Sequence, residues 1–230
     1  QIGEKGVCDG PATLSPGTPY PTCGSPGNNS SKTLLNNPAD MFVDPEPDPV
    51  TGERGSVYIA DGYGNHRVVV FNSQGQYLRQ WGSAGSGPGQ FVATGGGHPH
   101  CVIVGNDGLV YVCDRGNNRI QVFDKMGTLE RIIPIEPPAY MKQRISGSAA
   151  NDFAFSRDAG QTLMFDTDLG SYVVWILARD SGNVIGRFGR PGRMAGDFVL
   201  PHSIDIDSNE NIYVAETGTG NRVQKFVPAR

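Results

Sequence analysis

One pattern recurs along this chain and constrains it more than any other feature. It stands at Val57 (VYIADGYGNHRVVVF), Val110 (VYVCDRGNNRIQVF), Leu163 (LMFDTDLGSYVVWIL) and Ile212 (IYVAETGTGNRVQKF), at intervals of about 50 residues. Each copy reads as a short strand rich in Val, Ile, Tyr and Phe, a polar Gly/Asn turn, and a second strand of the same kind. An apolar strand precedes each pair: ADMFVD from Ala39, CVIV from Cys101, DFAF from Asp152 and SIDID from Ser203. Three copies are followed by another strand: YLRQWG from Tyr77, LERIIPI from Leu129 and VIGRFG from Val184.

Four antiparallel strands per repeat are the blade of a β-propeller, so the fold class expected is all-β, a β-propeller of four-stranded blades. About four blades are visible, at residues 38–90, 91–145, 146–195 and 196–230. The outer strands end on QWGSAG and RFGRPG, and the chain begins QIGEKG, so residues 1–6 are expected to finish the outer strand of an earlier blade. Arg230 follows a third strand, so residues 1–37 are read as the end of a preceding blade plus a Gly/Pro/Ser-rich loop, and the full ring as six-bladed. A four-bladed ring built from these residues alone is the competing reading.

The net charge of −4 and the 18% of charged residues leave no polyanion-binding footprint, and nucleic acid is not expected as a partner. No apolar run approaches the ~20 residues needed to span a bilayer. The 32 glycines and 17 prolines suit a fold with many tight turns. Cys8 and Cys23 lie in a segment with little apolar content to order it, which makes a disulfide the sensible reading and an oxidising compartment, secreted or periplasmic, the expected location. Cys101 and Cys113 flank a hairpin; they either pair across it or are small buried core residues. The sequons at Asn28 and Asn29 matter only in a eukaryotic secretory pathway.

The segment DRGNNRIQVFD at 114–124 resembles the NHL repeat signature, and DGYGNHRVVVF and GTGNRVQKF are close variants. From about Asn37 to Pro228 the chain also resembles the peptidyl-α-hydroxyglycine α-amidating lyases and their bacterial relatives. NPADMFVD precedes VYIADGYGNHRVVVF, HPHCVIV precedes VYVCDRGNNRIQVF, and LPHSIDID precedes IYVAE. That resemblance implies a six-bladed propeller with zinc on three histidines at the starts of inner strands, structural calcium, and a Tyr and an Arg near the metal. The implied reaction cleaves a carbinolamide N–C bond and releases an amide and glyoxylate.

Blade geometry gives an independent reading of the same residues. The start of a first strand and the end of a second strand lie at one edge, so His98, His100, His202 and Tyr63 are expected on one face, with His66 further out. His100 and His202 come from alternate blades, and a third histidine would lie upstream. Imidazoles with an open position have the shape of a catalytic metal site and suit zinc, copper or nickel, so His100, His202 and His98 are the candidate metal ligands, and zinc is the metal the resemblance implies. Tyr63 is the candidate catalytic base; the family's arginine is expected upstream. Where the animal lyases carry an Asp for calcium, this chain has Ser203, a poor calcium ligand. The partner under this reading is a peptide or small-molecule substrate. The rival reading is a non-catalytic propeller that binds a protein, peptide or glycan on its loop face.

Asp61, Asp114 and Asp166 are expected to end second strands and cap turns. Arg67, Arg119 and Arg222 open third strands, which points to repeated Asp–Arg pairing between neighbouring loops. Trp81 and Phe188 read as packing residues. The stretches GSAGSGPGQ and GGGHPH precede no helix and are not phosphate loops.

Overall fold

The computed structural model describes residues 1–24, 26–92, 98–136 and 148–229. It is all-β, a four-blade β-propeller arrangement. The first sheet runs Asp40–Asp44, Ser56–Asp61, Arg67–Phe71 and Tyr77–Trp81 in that order. The second is Pro99–Val104, Val110–Asp114, Arg119–Phe123 and Leu129–Pro134. The third is Asp152–Phe155, Leu163–Asp168, Val173–Ala178 and Val184–Phe188. The fourth has three strands among the described residues: Pro201–Ile206, Ile212–Glu216 and Arg222–Phe226. The chain divides into two compact units, residues 1–114 with 121–131, and 115–120 with 132–230.

Each unit has its own apolar core, built by period-two alternation on its strands. In the first, Tyr58, Val68, Val70, Val102, Val110 and Phe123 are wholly or almost wholly buried around Phe91. In the second, Val174, Ile204, Ile206 and Val214 surround Phe198. Phe91 and Phe198 hold equivalent places in the GQF and GDF segments. Each is pinned by a short parallel pairing, Ser83–Ala84 with Gln90–Phe91 and Pro191 with Phe198. The glycine after Trp81 or Phe188 makes room for that ring. A Cβ on Gly82 (φ +106°) would sit 2.6 Å from Phe91, and one on Gly189 (φ +85°) 2.3 Å from Phe198. Trp81 and Phe188 pack on the same cores, Trp81 against Phe123 and Phe188 against Phe198 and Phe226.

The paired arginines face the acid of their own blade, and Arg67 also pairs with Asp9 of the preceding segment at 3.2 Å. Arg67 faces Asp61 across its own hairpin, with Nε 2.9 Å from the carboxylate, and Arg222 faces Glu216 at 2.6 Å. Each then donates backwards to the preceding connector: Arg67 to the carbonyls of Ser31 and Leu34, Arg222 to those of Arg193 and Asp197. The third sheet has no such arginine, and there Asp168, not Asp166, ends the second strand, opposite Val173. Asp168 is satisfied instead by the amides of Gly170 and Ser171 and by the indole of Trp175.

Both cysteine pairs are disulfides, Cys8–Cys23 with Cα atoms 5.7 Å apart and Cys101–Cys113 at 4.9 Å. Glu4 and Val7 close a turn, and Ile2 packs on the far face of the first sheet beside Ile59, Val69 and Phe71. No helix of the described residues is long and apolar enough to cross a membrane.

Candidate functional site

Register places the histidines. In the second sheet Val102 faces Val112 and Pro99 faces Asp114, so His100 and Cys101 lie opposite the single residue Cys113. In the fourth, Pro201 faces Glu216 and Ser203 faces Ala215, which leaves His202 as the extra residue. Both candidate ligands thus sit in β-bulges directly after a proline, at the start of an inner strand. A bulge re-aims the side chain it carries. The inner strands of the first and third sheets pair with their neighbours without interruption. They begin with Asp40 and Asp152, and each carboxylate accepts the amide two residues past a histidine, Val102 on Asp40 and Ile204 on Asp152, both at 3.0 Å. Burial raises the Asp40 pKa, against the Val102 and Met41 amides, which lower it.

In the first unit four of the residues singled out from sequence come together. The Tyr63 hydroxyl lies 2.7 Å from Nε2 of His100. The Tyr63 ring is 5.0 Å from that of His98 and 5.4 Å from that of His100, centroid to centroid. Tyr63 is the open member, 37% exposed, whereas His98 and His100 are buried. The loop approaches the histidine strand so closely that a Cβ on Gly62 would lie 2.1 Å from the Pro99 carbonyl oxygen. His66, expected further out, is buried with its ring 6.0 Å from that of His98. Its backbone is tied inward, the amide donating to Asn29 Oδ1 at 2.8 Å. Burial pushes its imidazole below the ordinary value, against the pull of Asp61.

His202 belongs to the second unit. Its carbonyl accepts from Asn151 Nδ2 and from the Thr167 hydroxyl, and Asn151 Oδ1 accepts from Arg115 at 3.0 Å. Burial first, and then the Arg115 charge, lower the His202 pKa and favour the neutral ring. Neutral imidazole is the form that binds a transition metal. Sequence reasoning passed over Arg115, whose signal is a cation in the turn after the second strand, where the first sheet has Gly62. Ser203 is exposed, with its hydroxyl 3.5 Å from His202 Nδ1. A hydroxyl so placed fits calcium poorly. Among the described residues no group of three or more His, Cys, Asp or Glu side chains is arranged to hold a metal ion. The stretch at 93–97, just before His98, lies outside the described residues.

A model of the NHL repeat family matches residues 97–123, the stretch that holds the His100 bulge and the DRGNN turn. The chain carries an NHL repeat. It is 30% identical over 215 residues to NHL repeat-containing protein 3 of Mus musculus, covering 90% of this chain and 54% of that one. It is 30% identical over 184 residues to peptidyl-alpha-hydroxyglycine alpha-amidating lyase 2 of Drosophila melanogaster, covering 76% and 41%. The chain therefore spans about half the length of the mouse relative it matches. A solved structure of virginiamycin B lyase from Staphylococcus aureus superposes with a TM-score of 0.55 at 15% identity, over 85% of this chain and 58% of that one. At that identity the likeness shows the fold alone.

Proposed function

We propose that this NHL propeller serves an extracytoplasmic lyase, secreted or periplasmic, that splits the N–C bond of a peptidyl-α-hydroxyglycine into a peptide amide and glyoxylate. The observation that carries the reading is the Tyr63–His100 pair, an exposed phenol bonded at 2.7 Å to an imidazole on a bulged strand. The two disulfides and the 30% identity to an amidating lyase accord with it.

The pair suits the proton traffic of that reaction. Tyr63 takes the proton of the substrate hydroxyl as its own passes to His100. The oxygen electron pair closes the aldehyde C=O of glyoxylate, and the C–N bond breaks. The departing amide nitrogen receives the proton back through Tyr63. A positioned acid–base pair contributes about 10²- to 10⁴-fold. With His100 engaged in this relay, His98 in the first unit and, separately, His202 in the second are the imidazoles that would offer a nitrogen to zinc, and the neutral state favoured at His202 fits one. Zinc would supply Lewis-acid stabilisation of the developing charge. No step is assigned to calcium.

The test measures glyoxylate released from an N-acyl-α-hydroxyglycine by the purified protein, with and without added zinc. Tyr63→Phe is expected to lower turnover by about 100-fold or more. Undiminished turnover in Tyr63→Phe refutes the role of the pair. A wild type that binds the compound and releases no glyoxylate is a binding propeller rather than a lyase.

A further inference from the structure

Residues 8–37 add only a two-residue ribbon, Ala12–Thr13 with Thr22–Cys23, to the sheets. Ordering such a Gly/Pro/Ser-rich segment is entropically costly. Many of its contacts nevertheless converge on the turn at 61–65, which carries Tyr63. The Tyr63 amide donates to Asn37 O and the Gly64 amide to Asn36 O, both at 3.0 Å, and the Asn36 amide donates to Asp61 Oδ1 at 2.8 Å. The corresponding turns of the other sheets close on themselves. Asn118 donates to Arg115 O, Tyr172 to Asp168 O, and Gly220 to Thr217 O. Among the described residues, two of these turns donate one backbone bond each to the preceding connector, Leu169 to Ser148 O and Thr217 to Leu200 O. The turn of Tyr63 donates three such bonds to Asn36 and Asn37, the weakest from Asn65 to Asn36 O at 3.4 Å.

Asn36 is wholly buried, and its side chain leads from the turn to the disulfide. Its Nδ2 donates to Asp9 O at 3.3 Å and to Gly24 O at 2.8 Å, the carbonyls of the residues that follow Cys8 and Cys23. Asp9 binds the same region from its side chain, accepting from Asn65 Nδ2 at 3.3 Å and pairing with Arg67 at 3.2 Å. There is no slack between latch and turn, since a Cβ on Gly64 would fall 2.0 Å from Asn36 Oδ1.

We propose that the disulfide-closed arm is the positioning element for Tyr63, and that Asn36 is the positioning residue that holds the phenol against His100. The proposal deepens the lyase reading and rests on Tyr63–His100 being the working pair. It makes the Cys8–Cys23 bond a determinant of the site rather than a generic staple.

The experiment is ¹⁹F NMR of 3-fluorotyrosine placed at position 63 of the full chain. His100→Ala, which removes the partner of the phenol, supplies the reference shift. Asn36→Ala is expected to move the resonance at least half-way to that reference. On an N-acyl-α-hydroxyglycine it is expected to lower kcat by about 10-fold or more with KM within about twofold, since small misplacements of a reacting group are costly. Asp48→Asn is the control: it loosens the Asp48–Arg79 ion pair of the same unit, touches neither arm nor turn, and is expected to leave the resonance in place. A wild-type resonance in folded Asn36→Ala overturns the proposal. If Asn36→Ala does not fold, Cys8→Ser with Cys23→Ser, or reduction of that disulfide in the wild type, is read on the same scale with the same two outcomes. A wild type without turnover whose resonance still moves in Asn36→Ala defeats the lyase reading and leaves the positioning role standing.

Discussion

Replacing Arg67 by methionine, an unbranched apolar side chain of similar reach, tests the polar staple that ties a blade to its connector. Arg67 is 1% exposed at its side chain and lies between two carboxylates that are equally dry, Asp61 at 0% and Asp9 at 3%. Its guanidinium also serves Gln80 Oε1 and the carbonyls of Ser31 and Leu34. The substitution leaves two buried carboxylates without their cation, and breaking a buried pair in this way costs about 3–5 kcal/mol. Arg222→Met is the internal comparison. Its side chain is 29% exposed, and Glu216 keeps donors from the Val199 amide and from Gln224 Nε2. About 1.5 kcal/mol is expected there, the value of one hydrogen bond to a charged group. At 2–4 °C per kcal/mol, calorimetry should show a drop of about 10 °C for Arg67→Met and about 5 °C for Arg222→Met. Equal losses in the two variants, or a loss under about 1 kcal/mol in Arg67→Met, would refute the argument that Arg67 neutralises both acids.

Two further predictions concern protons. Asp166 is fully buried, and burial first, then the charges of Asp168 and Asp152, raise its carboxyl well above 3.8, against the Ala150 amide. From pH 3.8 upward the folded state therefore holds a proton that the unfolded state releases, so this group's stabilising contribution falls as pH rises toward the folded value. In urea melts Asp166→Asn should remove about 1.4 kcal/mol per pH unit of that downward slope; identical slopes in both proteins would show that Asp166 is ionised when folded. Arg115→Met should raise the His202 pKa toward its ordinary value, because the Arg115 charge is the second cause of its depression after burial. The His202 ring resonances followed against pH by NMR check this, and an unchanged midpoint rules out the electrostatic link.

Much of the architecture was legible because it is local. Alternating apolar residues, a polar turn and the WG or FG ending repeat at a fixed interval, and each copy pairs with its own neighbours in sequence. What stayed hidden depends on partners distant along the chain or on register. Arg67 announced a carboxylate partner, and Asp61 was near enough to be guessed within the repeat, but Asp9 belongs to a segment with no repeat at all. From sequence, Asp166 reads as the strand-ending acid because the third copy lacks the arginine that marks the position. Only the pairing of Asp168 with Val173 shows which aspartate is equivalent to Asp61. The cysteines at 101 and 113 illustrate a limit of pattern: a buried thiol pair and a cross-strand disulfide have the same alternation, and the bulge at His100 sets their spacing.

The bulges themselves show how sequence and register combine at the site. Proline followed by histidine occurs twice at the start of an inner strand, and both times the histidine falls in an irregularity of pairing. The sheets before them begin with Asp40 and Asp152, pair regularly, and accept a backbone amide from the strand that carries the histidine. A regular strand tipped with aspartate thus anchors each bulged strand tipped with histidine, and the same two-blade device is built once in each compact unit. A bulge gives up ladder hydrogen bonds, so its recurrence at both histidines, beside uninterrupted inner strands in the first and third sheets, argues that it serves to aim the imidazoles rather than to complete the sheet. The repeat that places the bulged histidines is therefore two blades long. It alternates an anchoring acid with an aimed base, and the single-blade periodicity that reveals the fold conceals it.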